Sequence, residues 1–120
     1  MTLPNSQTPL LLHNPRCSKS RAAKSLLEER GVRFELRLYL EAPLSRAELS
    51  ELRRRLGRPA LEWARSGEPS FSAAGLGPES DDDAVLDAVA LHPELLERPI
   101  LVRAERAVVG RPPERILELL

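Results

Sequence analysis

The chain has 120 residues, with 18 basic and 18 acidic side chains and a formal net charge of zero, so it carries neither the field that draws nucleic acid nor an acidic tail. Its aromatics, Phe34, Tyr39, Trp63 and Phe71, are too few for a stacking platform on single-stranded nucleic acid, and no apolar run approaches the ~20 residues of a membrane span. The single cysteine excludes an intramolecular disulfide and fits a reducing, cytoplasmic setting; this length predicts one domain whose core needs no covalent staple.

Met1 to Thr8 is polar, contains Pro4, and lacks the basic start and apolar stretch of a signal peptide. A disordered lead is expected over residues 1–8, then a single domain over residues 9–120. Leu10-Leu11-Leu12 predicts a short buried strand. It enters the segment His13-Asn14-Pro15-Arg16-Cys17-Ser18-Lys19-Ser20-Arg21. A helix follows over Ser18 to Arg30, with Ala22, Ala23, Leu26 and Leu27 on one face and Gly31 as its stop.

Cys17 therefore stands at a strand-to-helix turn, where the first N–H groups of the helix lack partners and the dipole favours negative charge. A thiol there ionises readily, and an oxyanion can bind beside it. Lys19 and Arg21 in the first turn, with Glu28 and Glu29 in the last, run against the dipole. Such a local conflict beside a nucleophile points to positive charge kept for function. The plain alternative is a buried structural cysteine.

Val32 to Leu38 alternates, with Val32, Phe34, Leu36 and Leu38 facing one way, and predicts a half-exposed strand. Strand, helix and strand make a βαβ unit, so the two strands should run parallel. After a loop holding Pro43, Ser45 and Glu48 form a capping box for a helix with Leu49, Leu52 and Leu56 on its apolar face and Gly57 at its end. Arg53-Arg54-Arg55 reads as its solvated face. Pro59 opens a short helix to Arg65. Ser66 to Ser80 reads as an irregular surface loop and a candidate lid. Asp81-Asp82-Asp83 opens the next helix and suits its dipole; as adjacent acids point in different directions, a metal site there is disfavoured. Arg98 to Val102 and Ala107 to Val109 form a hairpin around a turn at Arg103 to Arg106, and Pro112-Pro113 opens a last helix. The fold class is α/β: a small mixed four-stranded sheet flanked by helices, with an inserted helical segment.

This order, with a cysteine after the first strand, resembles the thioredoxin-like (glutaredoxin-like) fold. Its C-x-x-C motif stands here as Cys17-Ser18-Lys19-Ser20. Ser20 can hydrogen-bond a thiolate but cannot form a disulfide, so a second thiol must come from another molecule. At this point the resemblance becomes specific. The segment around Cys17, Tyr39-Leu40-Glu41-Ala42-Pro43, His92-Pro93 with Glu97-Arg98-Pro99-Ile100-Leu101-Val102, and Gly110-Arg111-Pro112-Pro113-Glu114 are similar, in order and spacing, to the glutaredoxin-coupled arsenate reductases of the ArsC family.

The resemblance implies an enzyme that reduces arsenate to arsenite through Cys17, with glutathione as cosubstrate and glutaredoxin as partner, no bound cofactor and no metal. It implies that Arg65, Arg98 and Arg111 hold the oxyanion, for which guanidinium forks are suited. It further implies a cis peptide bond before Pro99. His13 either stabilises the thiolate as an imidazolium or orients the loop by hydrogen bonding; Ser20 and Arg21 support the loop. His92 reads as a helix-end residue. A monomer in the cytoplasm, without nucleic-acid or membrane partners, is the expected form. Two other functions fit the fold: a thiol reductase of another substrate, and an Spx-type regulator that binds RNA polymerase. Ser20 counts against the latter, which typically carries a C-x-x-C switch.

Overall fold

The computed structural model describes residues 3–120. Its elements are β1 (Leu10–His13), α1 (Ser18–Glu29), β2 (Glu35–Leu38), α2 (Arg46–Leu56), α3 (Pro69–Ala73), α4 (Asp82–Leu91), β3 (Ile100–Arg103) and β4 (Arg106–Val109). Three 3-10 segments, Ala60–Trp63, Pro93–Leu95 and Pro113–Leu119, complete them.

The sheet order is β2-β1-β3-β4. β1 and β2 are parallel, with Leu11 opposite Leu36, as the βαβ pattern requires. β1 and β3 are antiparallel, with Leu11 opposite Leu101, and β3 and β4 form the expected hairpin. The period of two along a strand divides the apolar side chains between two faces. Leu10, Leu12, Ile100, Val102 and Val109 join α2, α4 and Trp63 in the larger core. Leu11 and Leu101 pack on the opposite face with Ala23, Leu27, Ile116 and Leu119. Helices thus cover both faces, in the mixed α/β arrangement expected. No helix among the described residues is long and apolar enough to cross a membrane.

Several expectations are revised. The second strand is limited to Glu35–Leu38; Val32 and Phe34 instead pack on the smaller core from the loop before it. Ser66 to Ser80 is not a free loop, because α3 buries Phe71 in the larger core. The segments after Pro59 and Pro113 are 3-10 rather than α-helical. Of the lead, residues 1 and 2 lie outside the described residues. The rest is tied down: Leu3 is buried, Arg55 donates to the carbonyls of Pro4 and Leu3 at 2.7 and 3.2 Å, and Ala104 N–H donates to Ser6 O. Arg55 is itself buried, so the arginine run is not uniformly a solvated face. Its neighbours Arg53 and Arg54 pair with Asp82 and with Glu51 and Glu105.

The three aspartates before α4 do separate work. Asp81 caps the helix through Ala84 N–H, Asp82 accepts from Ala60 N–H and Arg53, and Asp83 pairs with Arg46. These bonds fasten α4 to α2 and to the 3-10 segment that precedes Arg65.

Candidate active site

The loop after β1 is folded around Ser20. Its hydroxyl is fully buried, lies 2.7 Å from His13 Nδ1 and accepts from Asn14 N–H at 3.0 Å. Asn14 Oδ1 accepts from Arg16 N–H, and Cys17 N–H donates to Asn14 O, both at 3.0 Å. These bonds turn the chain sharply and leave Cys17 as the N-cap residue of α1 with extended backbone. Its thiol is partly exposed.

Burial pushes the Cys17 thiol up. The backbone N–H of Ser20, the charge of Arg98 and the backbone N–H of Lys19 outweigh that, and its pKa lies below the ordinary value. The helix start therefore acts as expected, but the charge comes from Arg98, across the fold. Arg21 instead donates to Pro15 O at 3.0 Å, so it staples the loop. Lys19 contributes its backbone rather than its ammonium. The Lys19 and Arg21 charges of α1 are thus not among the causes that lower the thiol.

His13 is nearly excluded from solvent. Burial, then the charges of Lys24 and Arg21, lower its pKa. Its ring holds Ser20 through Nδ1, the loop-orienting arrangement, and its burial disfavours the charged form. Ser20 in turn does not offer its hydroxyl to the sulfur, being occupied by His13 and Asn14.

Arg65, Arg98 and Arg111 converge. With Ala64, Ser66, Gly67 and Glu97 they line one cavity of about 250 Å³. Tertiary pairing brings them there. Arg65 N–H donates to Leu95 O and Glu97 N–H to Trp63 O, which lays the two connecting segments side by side at the Ala64–Leu96 bridge. Arg111 Nε donates to Arg98 O at 2.9 Å. The peptide bonds before Pro99 and Pro112 are both cis, and Gly110 N–H donates to Pro99 O at 2.8 Å. Gly110 allows this approach, since an added Cβ would lie 2.8 Å from Pro99 Cγ and 2.9 Å from Ile116 Cγ2. Arg98 Nε and Nη1 are buried without a hydrogen-bond acceptor among the described residues. Donors of this kind carry a large desolvation cost unless an anion meets them.

Three residues join this site without having been singled out as members of it. Tyr39 is buried; its phenol is pushed up to about 12, chiefly by burial, and feels the charges of Arg98, Arg65 and Cys17. Asn14 is its side-chain hydrogen-bond partner. Glu97 sits among the arginines, with Oε1 3.0 Å from Arg111 Nε, 3.5 Å from Arg98 Nη1 and 4.0 Å from Arg65 Nε. Tyr39 and Glu97 both lie inside the quoted sequence segments, but nothing in their local pattern placed them beside a cysteine. No group of side chains able to hold a metal ion occurs among the described residues.

The arginine cavity can hold a small anion; Cys17 is not among the residues that line it, and Arg98 is the group shared between that cavity and the thiol. The ArsC family pattern matches residues 12–119. The chain is 47% identical over 112 residues to an arsenate reductase of Neisseria meningitidis serogroup A, covering 92% of this chain and 96% of the relative. It is 35% identical over 113 residues to an arsenate reductase of Haemophilus influenzae, covering 92% and 97%. Among solved structures, an arsenate reductase from Vibrio cholerae superposes with a TM-score of 0.89 at 40% identity, covering 97% of this chain and all of that one.

Proposed function

The chain belongs to the ArsC family, and from that premise we propose that it is an arsenate reductase that uses Cys17 as nucleophile and external thiols as reductant. The observation that carries the reading is the pocket in which Arg65, Arg98 and Arg111 meet, with the charge of Arg98 also acting on the Cys17 thiol. Named relatives that cover nearly the whole chain support the same substrate.

The reaction has three stages. Arsenate sits on the guanidinium forks, and the Cys17 thiolate attacks arsenic. An As–S bond forms, and one oxygen leaves as water after taking up protons. Preorganised cations stabilise the charge as the oxyanion rearranges. The sulfur of glutathione then displaces a second oxygen, also as water. In the last stage a glutaredoxin thiolate attacks the glutathione sulfur. An S–S bond forms, and the electron pair of the broken S–As bond stays on arsenic, which falls from the +5 to the +3 state. Water then displaces Cys17 and releases arsenite. Two thiols supply the two electrons and end as one mixed disulfide. The described chain has no second cysteine, so the outside thiol is a chemical necessity of this route. Glutathione and glutaredoxin meet that need in the reducing cytoplasm.

The test is arsenate-dependent NADPH oxidation in a system coupled through glutathione, glutathione reductase and glutaredoxin. Turnover is expected for the wild-type chain and absent for Cys17→Ser. Turnover by the wild type no greater than by Cys17→Ser removes the proposal. Turnover that persists when glutaredoxin is omitted removes its coupling and leaves the arsenate chemistry.

A further inference from the structure

We propose that Glu97 is the specificity-determining residue of the arginine pocket, where its carboxylate accepts a hydrogen bond from an oxyanion that still carries a proton and so admits arsenate and phosphate over sulfate. The inference rests on the reading of that pocket as an oxyanion site.

A pocket selected only for negative charge would be lined by cations alone. This one places a carboxylate among them, with Oε1 within 4.0 Å of Arg65, Arg98 and Arg111 alike. Oε1 also accepts the backbone N–H of Arg98 at 3.2 Å. Oε1 is thus held by one backbone donor and by ion pairs with the guanidiniums, of which Arg111 Nε at 3.0 Å is the nearest. The other oxygen, Oε2, is in no hydrogen bond among the described residues. Glu97 lines the cavity itself and its side chain is only 23% exposed, so an anion bound there meets a carboxylate that water screens incompletely.

Two oxyanion oxygens approach one another closely only with a proton between them. Arsenate and phosphate keep at least one O–H at neutral pH and can donate it to Oε2. Sulfate keeps none and would face carboxylate oxygen with nothing to share. Discrimination by an unfavourable contact with the wrong ligand is a common route to specificity. A site that offers an acceptor to a ligand hydroxyl rejects the analogue lacking it, because the acceptor is left unpaired.

The alternative is that Glu97 only holds the arginines in place. The two roles differ in the Glu97→Gln variant. The Arg98 backbone N–H and the surrounding positive charge favour the amide oxygen where Oε1 now lies, so the amide NH₂ takes the place of Oε2. A donor then faces the cavity instead of an acceptor. The specificity role predicts that sulfate binds better and phosphate worse; a holding role weakens both alike.

The experiment is an NMR titration of the ¹⁵N-labelled full chain with inorganic phosphate and, separately, sodium sulfate at matched ionic strength, since exposed charge pairs are screened by salt. Wild type is expected to bind phosphate at least about tenfold more tightly than sulfate, the ratio that a hydrogen bond to a charged group supports. In Glu97→Gln that ratio is expected to fall to about twofold or less, with sulfate tighter than in wild type. Glu97→Asp, which keeps the charge, is expected to keep the preference. Equal binding of the two anions by wild type overturns the proposal without need of a variant. A preference retained in full by Glu97→Gln, or lost in Glu97→Asp, overturns it as well. Binding of neither anion by wild type overturns the oxyanion pocket itself, a result distinct from a pocket that binds both without preference.

Discussion

Replacing Ser20 by alanine separates two roles that the loop sequence alone leaves together. The hydroxyl has two partners, His13 Nδ1 at 2.7 Å and Asn14 N–H at 3.0 Å, and both Ser20 and His13 are buried. Its removal leaves two polar groups without partners, the His13 ring where it is buried and the Asn14 N–H where it is part-buried. Each such group costs about 1–3 kcal/mol. Alanine returns roughly 0.5 kcal/mol through its helix propensity. With the part-buried Asn14 N–H at the low end, the net loss is about 1.5–3.5 kcal/mol, which for a chain of this size lowers the melting temperature by roughly 6–14 °C. The thiol should respond much less, because Ser20 favours the Cys17 thiolate through its backbone N–H, which alanine retains. Thermal unfolding followed by circular dichroism gives the first quantity. The pH dependence of iodoacetamide alkylation gives the second, with a midpoint expected within about 0.5 unit of wild type and still below the ~8.5 of a free thiol. A variant of unchanged stability whose thiol midpoint rises by a full unit or more would show that the hydroxyl serves the sulfur rather than His13, and the reasoning fails.

Arg98→Met should raise the Cys17 midpoint by about one unit, at the low end of the effect of a neighbouring cation because the thiol is partly exposed; the same alkylation profile checks this, and no rise would mean that the helix start alone sets the thiol. Gly110→Ala forces a Cβ to within 2.8 Å of Pro99 and 2.9 Å of Ile116, and the overpacking should cost about 1–3 kcal/mol in guanidinium denaturation, with weaker phosphate binding as the segment carrying Arg98 shifts. Glu48→Gln should cost about 2–4 kcal/mol at neutral pH, since Glu48 is almost wholly buried, pairs with Arg37 at 2.6 and 3.0 Å and closes the α2 capping box. The hydrogen bond from Arg37 holds the Glu48 carboxyl below the usual range despite burial, so its contribution is complete above the unfolded value of ~4.3 and is lost as pH falls through the folded one. The stabilities of wild type and variant should therefore begin to draw together as pH falls below about 4.3; a gap that stays constant down to pH 2 would contradict the assignment.

How far the sequence reached can be seen residue by residue. Leu10 to His13 and the helix behind it are specified by local rules: an apolar run, a turn, a 3.6-residue period and a glycine stop. Those rules put Cys17 at a helix start, and the lowered thiol follows from backbone donors that any sequence at that position supplies. The capping box at Ser45 and Glu48 was legible for the same reason, as both partners lie within one turn. Local pattern also misled where packing overrode it. Phe71 anchors a stretch whose glycines and prolines read as loop, and Arg55 is buried in a run that read as solvated.

Charge placement is where the tertiary structure decided. Lys19 and Arg21 are neighbours of Cys17 along the chain, yet Arg98, 81 positions away in sequence, is the cation that acts on its thiol. Sequence nearness does not fix where a side chain's charge is spent, since Arg21 is bonded to Pro15 O, whereas strand pairing between β1 and β3 carries the loop before β3 to the cysteine. Only folding could set Glu97 among Arg65, Arg98 and Arg111, because the three come from separate segments joined by the Ala64–Leu96 bridge and by the bond from Arg111 to Arg98 O. By itself the sequence determined a cysteine at a helix start with no second cysteine to pair with it. The fold decided which charges surround that thiol, since Coulomb interactions depend on distance in space, and that distance is created by long-range pairing.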